Sequence, residues 1–132
     1  MKLQPDKSSA PLVRAYSEEW LQIDDQRFKQ SLIVSSLSGQ PLRTWTPRHL
    51  AELTAEQLAE LANCGAELVI LGTGRRLSFP PAAWLAPFAH ARVGLESMDT
   101  AAACRTYNIL ASEGRKVIAA LLIESDSTNS AA

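Results

Sequence analysis

The sequence predicts an α/β fold that is preceded by an N-terminal antiparallel meander. Three observations lead to this prediction. After Gly65 the chain alternates between strand-like and helix-like patterns, which is typical of an α/β sheet. Residues 68–71 and 117–123 are apolar without alternation, which indicates strands buried on both faces. Before residue 35 the chain instead consists of short extended runs separated by polar turns.

The meander comprises extended runs at residues 12–16, 20–23 and 27–34. Polar turns at residues 17–19 and 24–26 separate these runs. Residues 35–41 form a predicted loop because they contain serine, glycine and proline, and residues 42–45 form a brief extended segment.

The first helical signals follow this segment. Pro47 suits a first helical position, and Thr54 with Gln57 forms a capping box. Gly65 then ends the helical region as a C-terminal cap, before the buried strand at residues 68–71.

The second half of the chain contains two further helices. Pro81 opens a predicted helix that runs to about residue 89, and a strand follows at residues 93–96. Residues 100–112 form the strongest predicted helix, capped by Asp99 or Thr100 and followed by Gly114. The last strand covers residues 116–123.

Length and composition limit the class of protein. The chain has 132 residues, of which 46% are apolar, and a net charge of −1. We expect one domain over residues 12–123, a flexible lead-in over residues 1–11 and a disordered tail over residues 124–132. The balanced charge argues against nucleic acid and membrane surfaces as partners, and the longest aliphatic run, residues 117–123, is too short to span a bilayer.

Metal and export signals are weak. The two cysteines and two histidines show no ligand-pair spacing, so we expect no metal and no cofactor. The first residues lack the apolar region of a signal peptide and the arginines of a mitochondrial presequence, so we expect a cytoplasmic protein.

A candidate binding cleft lies beyond the carboxyl ends of the predicted parallel strands, where open α/β sheets bind ligands. The residues proposed for it from the two strand ends are Gly72, Thr73, Gly74, Arg75, Met98, Asp99 and Thr100. Glycines allow close approach of a ligand, and helix N-termini and arginines favour a carboxylate or phosphate. The alternative is a structural turn followed by a helix cap.

The strongest predicted helix adds further candidates. Thr100, Cys104 and Asn108 share one stripe, which either lines the cleft or packs against the sheet. Arg105 supplies a cation. Catalysis by Cys104 would require a neighbouring base, and the sequence places none beside it. At the helix end, Glu113 is expected to pair with Arg115 or Arg105, because a carboxylate there opposes the helix dipole.

The motifs of the second half resemble those of the Mth-domain family of unknown function. They are Gly72-Thr73-Gly74, Glu96-x-Met98-x-Thr100-x-Ala102-Ala103, Thr106-Tyr107-Asn108 and Glu113-x-Arg115-x-Val117. The resemblance covers residues 68–123. It implies a single α/β domain in three layers, with a mixed central sheet, helices on its faces and an added antiparallel layer.

The resemblance also implies no established enzymatic activity and no cofactor. The family includes small bacterial proteins, the adipogenesis-associated Mth domain-containing protein and a mitochondrial assembly factor for the alpha subcomplex of NADH dehydrogenase. The leading expectation is therefore a non-enzymatic binding or assembly-type domain with a protein partner. The alternative is an enzyme or sensor that binds a small anion at the cleft, and the oligomeric state is left open.

Overall fold

A mixed five-stranded sheet forms the centre of the fold in a computed structural model that describes residues 10–124. Its strands are β4 (Ser31–Ser35), β5 (Arg43–Trp45), β6 (Leu68–Gly72), β7 (Gly94–Met98) and β8 (Val117–Leu121), in the order β5-β4-β8-β6-β7. Strand β8 runs parallel to β6 and antiparallel to β4, while β6 and β7 are parallel. Every residue of β8 is buried, which accounts for its unbroken apolar sequence.

The N-terminal meander is a separate antiparallel sheet. It consists of β1 (Val13–Tyr16), β2 (Leu21–Ile23) and β3 (Gln26–Phe28) in sequential order. The prediction of one extended run over residues 27–34 is wrong, because the chain bends at residues 29–30 and passes from one sheet to the other. Strand β3 pairs with β2 alone and is largely exposed, whereas β4 lies between β5 and β8 and is fully buried.

Three α-helices flank the central sheet. They are α1 (Ala55–Glu60), α2 (Ala86–Ala91) and α3 (Thr100–Ser112). The predicted capping box of α1 and the predicted bounds of α3, with Asp99 as its N-cap, are confirmed. The predicted start of a helix at Pro47 is wrong: the first helical turn is a 3₁₀ turn at Leu50–Glu52, and extended backbone at Leu53 separates it from α1.

Pro81 introduces a 3₁₀ turn rather than an α-helix. The turn covers Ala82–Leu85 and leads directly into α2. The strand after α2 is longer than predicted, since β7 continues to Met98. Met98, the last residue of β7, therefore pairs with Gly72 at the end of β6. Met98 directly precedes Asp99, the cap of α3.

Side chains of alternate residues in the central strands divide between two cores. Val117, Ala119 and Leu121 of β8 pack on the side that carries α3 and the meander. Ile118 and Ala120 face the opposite side, which carries α1 and α2. This alternation confirms the three-layer α/β architecture.

The ends of the chain lie largely outside the described region. The predicted lead-in and tail fall outside it except for residues 10–11 and Glu124. Within residues 10–124, no helix combines the length and hydropathy needed to cross a membrane.

Candidate functional site

A cavity of about 200 Å³ opens where the carboxyl ends of β6 and β8 meet the first turn of α3. Four segments of the chain line it: the β1–β2 turn, the loop after β6, the start of α3 and the residues after β8. The lining residues are Tyr16, Ser17, Glu18, Gly74, Arg75, Asp99, Thr100, Ala101, Leu122, Ile123 and Glu124. Four of the predicted site residues are therefore brought together here: Gly74, Arg75, Asp99 and Thr100.

The side chain of Thr100 joins the three strand ends. Its hydroxyl accepts a hydrogen bond from the N–H of Gly74 at 2.8 Å and donates one to the carbonyl of Leu122 at 2.8 Å. The N–H of Thr100 donates to the carbonyl of Gly74 at 2.9 Å. Thr100 is only 7% exposed, so these bonds satisfy groups that water does not reach.

Thr73 is a structural residue of the loop after β6. It is 2% exposed, and its hydroxyl donates to the carbonyl of Arg76 at 2.6 Å and accepts from the N–H of Ser78 at 3.0 Å. Its backbone N–H donates to the carbonyl of Met98 at 2.8 Å. Thr73 therefore shapes the loop and ties it to β7, and Met98 contributes its carbonyl to that contact while its side chain packs on the core.

The two glycines of the motif are required for different reasons. A Cβ atom at Gly72 would lie 3.0 Å from the Thr100 hydroxyl and 3.1 Å from Ala103, so Gly72 permits α3 to pack closely on β6. Gly74 has a φ of +99°, and a Cβ atom there would collide with the carboxyl group of Glu124. A Cβ atom at Gly72 would require its neighbours to move by a few tenths of an ångström, and at Gly74 the positive φ disfavours every other residue.

Arg75 connects two of the carboxylates that line the cavity. The Nε atom of Arg75 lies 3.3 Å from the Glu18 carboxylate, and the backbone N–H of Arg75 donates to Glu124 at 3.0 Å. The second carboxylate oxygen of Glu124 lies 3.5 Å from Nδ1 of His49. One oxygen of Asp99 accepts the N–H of Ala102 at 2.9 Å as the cap of α3. The cavity thus carries three carboxylates and one guanidinium.

Cys104 and Asn108 lie away from the cavity and pack within the fold. Cys104 is fully buried, and the loss of solvation raises the pKa of its thiol to about 12, so the thiolate required of a nucleophile does not form near neutral pH. The Asn108 amide accepts from the N–H of Val13 at 2.9 Å and donates to its carbonyl at 2.8 Å. Asn108 therefore binds β1 as a neighbouring strand would.

Of the remaining charged candidates, Arg115 makes its contacts outside the cavity, whereas Arg105 contacts a residue that lines it. Arg105 donates to the hydroxyl of Tyr16 at 2.9 Å. Arg115 forms a bidentate pair with Glu67 at 3.1 and 3.2 Å, and this hydrogen bond lowers the pKa of the Glu67 carboxyl. The main partner of Arg115 is Glu67, which lies 48 residues away in sequence, and the predicted partner Glu113 adds only a smaller electrostatic contribution that raises the pKa of Arg115.

Sequence reasoning missed the lining residues from the meander and from the end of β8. Nothing in the local sequence of Tyr16 to Glu18 indicates that the β1–β2 turn reaches the cavity. A signal existed for Glu124, since it follows a buried strand whose carboxyl end, like that of β6, lies at this edge of the sheet. Within residues 10–124, no cluster of three or more histidine, cysteine, aspartate or glutamate side chains is placed to hold a metal ion.

Comparison with known proteins gives one family and several bacterial structures. Residues 13–122 match the family described as "Protein of unknown function (DUF498/DUF598)". A crystal structure of a Bordetella parapertussis protein is 35% identical, with a TM-score of 0.79, and the match covers 86% of this chain and 96% of that one. A solution structure from Bordetella pertussis, described as a Mth938-like domain, is 31% identical, with a TM-score of 0.78 and coverage of 100% and 98%.

A third similar structure comes from Xanthomonas campestris. It is 31% identical over 94% of this chain and 93% of that one, with a TM-score of 0.75. All three structures were determined as structural genomics targets. No curated protein matches the chain. On the extent of the family match and the identity to these structures, the chain belongs to the DUF498/DUF598 family of unknown function and has a Mth938-like fold.

Proposed function

We propose that this chain is a non-enzymatic binding domain that acts through contacts with another protein, in the manner of an assembly factor. The observation that carries the proposal is a pair of large apolar side chains on the loop after β6. Leu77 is 52% exposed and Phe79 is 69% exposed. Contiguous apolar surface that is exposed to solvent is typical of interaction sites, and these two residues are separated by only one position in the chain.

The loop presents these two side chains on an ordered backbone. The hydroxyl of Thr73 binds the backbone of Arg76 and of Ser78, which flank Leu77 on both sides. A preorganised loop loses less conformational entropy when it binds, so its apolar contacts contribute more to affinity. Phe79 is the expected anchor, because aromatic residues dominate the energetics of many interfaces.

The chemistry of the motif residues supports a binding role over catalysis. The hydroxyls of Thr73 and Thr100 are committed to backbone hydrogen bonds, and the Cys104 thiol is buried. A cytoplasmic location is part of the proposal. Both cysteines, Cys64 and Cys104, are unpaired, as is usual in a reducing compartment.

The test is site-specific photocrosslinking in cells that express the protein naturally. A photoreactive phenylalanine analogue replaces Phe79 in one variant and Ile109 in the matched control, since Ile109 is also exposed (59%) but lies on α3. We expect a discrete adduct from position 79 and none of the same mass from position 109. Excess unmodified protein should compete for this adduct, whereas a Leu77→Ser/Phe79→Ser variant should not.

Other outcomes contradict the proposal. Identical adducts from both positions, or no adduct from position 79, would remove the loop as a binding surface. An adduct of twice the mass of the chain would identify self-association in place of a different partner. Both variants should remain folded, because substitutions of exposed side chains usually change stability by less than about 0.5 kcal/mol.

A further inference from the structure

We infer that Glu124 is a positioning residue for the binding loop, residues 73–79, which carries the exposed side chains of Leu77 and Phe79. The inference rests on the proposed function, because that function assigns the contact with a protein partner to these two side chains. It adds that a carboxylate from a different segment of the chain holds the binding loop in the conformation that presents them.

Three side chains bind the backbone of the binding loop within residues 10–124. The hydroxyls of Thr73 and Thr100 do so from buried positions. The Glu124 carboxylate accepts the N–H of Arg75 at 3.0 Å, and its side chain is 23% exposed. Water can replace this carboxylate at Arg75 without opening the core, so the contact with Glu124 is the one that the binding loop loses most readily.

The backbone that leads to Glu124 is fixed by contacts outside the binding loop. The N–H of Ile123 donates to the buried hydroxyl of Ser31 at 2.9 Å, and the N–H of Leu122 donates to the carbonyl of Gly72 at 2.9 Å. Because this backbone is already ordered, the contact with the loop costs only the rotamer freedom of the Glu124 side chain. Glu124 therefore provides a rigid support for a loop that is itself largely exposed.

The Glu124 carboxylate lies between the binding loop and the segment after β5. One of its oxygens accepts the Arg75 N–H, and the other lies 3.5 Å from Nδ1 of His49. Its carboxyl carbon lies directly against Gly74, where a Cβ atom would collide with it. The carboxylate therefore holds the loop both by a hydrogen bond and by occupying the space beside the Gly74 backbone.

A second charged contact of the binding loop does not take the place of Glu124. The guanidinium of Arg75 lies 3.3 Å from the Glu18 carboxylate, but both side chains are exposed. Exposed ion pairs of this kind contribute little to the order of the groups they join. The Glu18 contact also involves the Arg75 side chain, whereas Glu124 binds the loop backbone itself.

The test measures the exchange of amide hydrogens with water in the full ¹⁵N-labelled chain. Glu124→Ala removes the carboxylate, Glu124→Gln retains an oxygen that accepts the Arg75 N–H, and Glu113→Ala is a matched control at the other end of α3. We expect Glu124→Ala to accelerate exchange at both Arg75 and Ser78 by about tenfold, the effect of losing one hydrogen bond to a charged group. Glu124→Gln should stay within about threefold of the wild type, and Glu113→Ala should equal it.

The same substitutions in the chain that carries the photoreactive analogue at position 79 test the effect on binding. A surface loop opens at a small free-energy cost, so a tenfold increase in opening removes a substantial part of the binding-competent population. We expect Glu124→Ala to lower the yield of the adduct by about twofold or more at limiting protein concentration. Glu124→Gln and Glu113→Ala should retain the yield of the parent chain.

Three results would overturn the inference. Faster exchange at Arg75 with none at Ser78 would show that Glu124 caps one N–H and does not position the loop. Equal acceleration at Ala119, in the buried strand β8, would show a general loss of stability. Faster exchange at both loop amides with an unchanged adduct yield would show that the conformation of the loop does not limit binding.

Failure of the proposed function gives a different result. If the parent chain forms no adduct from position 79, the protein contact and any effect of Glu124 on it are both removed. The exchange rates at Arg75 and Ser78 still decide whether Glu124 orders the loop, because they are measured without a partner.

Discussion

Replacement of Thr100 by valine tests whether its hydroxyl holds the strand ends together. Valine has the same shape as threonine and similar helix propensity, so the substitution removes the hydroxyl and little else. Two buried partners lose their hydrogen bond: the N–H of Gly74 and the carbonyl of Leu122, each at 2.8 Å from the hydroxyl oxygen. Each group left unsatisfied costs about 1 to 3 kcal/mol.

The expected loss is therefore about 2 to 6 kcal/mol in the free energy of unfolding. The matched control is Thr100→Ser, which keeps the hydroxyl and removes one methyl group at a cost of about 1 kcal/mol. Urea unfolding, followed by circular dichroism, measures both variants against the wild type. Amide hydrogen exchange at Gly74 should also accelerate in Thr100→Val and remain slow in Thr100→Ser.

Three results would contradict this reasoning. If Thr100→Val unfolds within about 0.5 kcal/mol of the wild type, the hydroxyl does not stabilise the strand ends. If Thr100→Ser loses as much stability as Thr100→Val, the methyl group contributes as much as the hydroxyl, and the two hydrogen bonds are not the dominant contribution of this side chain. Unchanged exchange at Gly74 in both variants would exclude a local role at the cavity.

Three other expectations follow from named contacts. In the folded protein at pH 8 a thiol reagent should modify half-buried Cys64 first and reach Cys104, whose pKa is about 12, only on unfolding; equal rates would contradict its burial. Asn108→Ala should lose about 1 to 3 kcal/mol and speed exchange of the Val13 amide, whereas unchanged protection would show that the two hydrogen bonds do not hold β1. Because the pKa of the Glu67 carboxyl is lowered in the folded protein, its ionised form stabilises the fold above pH 4.5, and this stabilisation disappears as the pH falls through the folded-state pKa. The urea midpoints of the wild type and of Glu67→Gln should therefore differ at pH 7 and converge at low pH. A difference that does not depend on pH would contradict this expectation.

The sequence predictions were accurate where the interactions join residues close in the chain and inaccurate where they join distant segments. Helix α3 was predicted to its observed bounds because its signals are local: Asp99 caps its start and Gly114 follows its end. The extended run over residues 27–34 was wrong because its division into β3 and β4 depends on which strands lie alongside, and not on its own residues. Likewise, the pairing of Arg115 with Glu67 joins residues 48 positions apart.

The sequence predicted which strand ends lie beside the cavity but not all of the residues that line it. The rule that ligands bind beyond the carboxyl ends of parallel strands correctly identified the loop after β6 and the start of α3 as neighbours. It did not reveal that the Thr73 and Thr100 hydroxyls bind backbone groups. The partners of the Thr73 hydroxyl lie in its own loop, at Arg76 and Ser78, and the Thr100 hydroxyl donates to the carbonyl of Leu122, which directly follows β8. The motif residues that resemble a family pattern therefore include residues that specify the fold.

The sequence by itself determined the α/β class, the three-layer family resemblance and the helix caps. These properties depend on periodicity and on contacts between residues close in the chain, which can be read without knowing the topology. Only the tertiary structure decided that β8 lies between β4 and β6, and that Glu18 and Glu124 join Asp99 around one cavity. The physical reason is that the charge of a site is the sum over side chains from distant segments, and their proximity is created by strand order and packing.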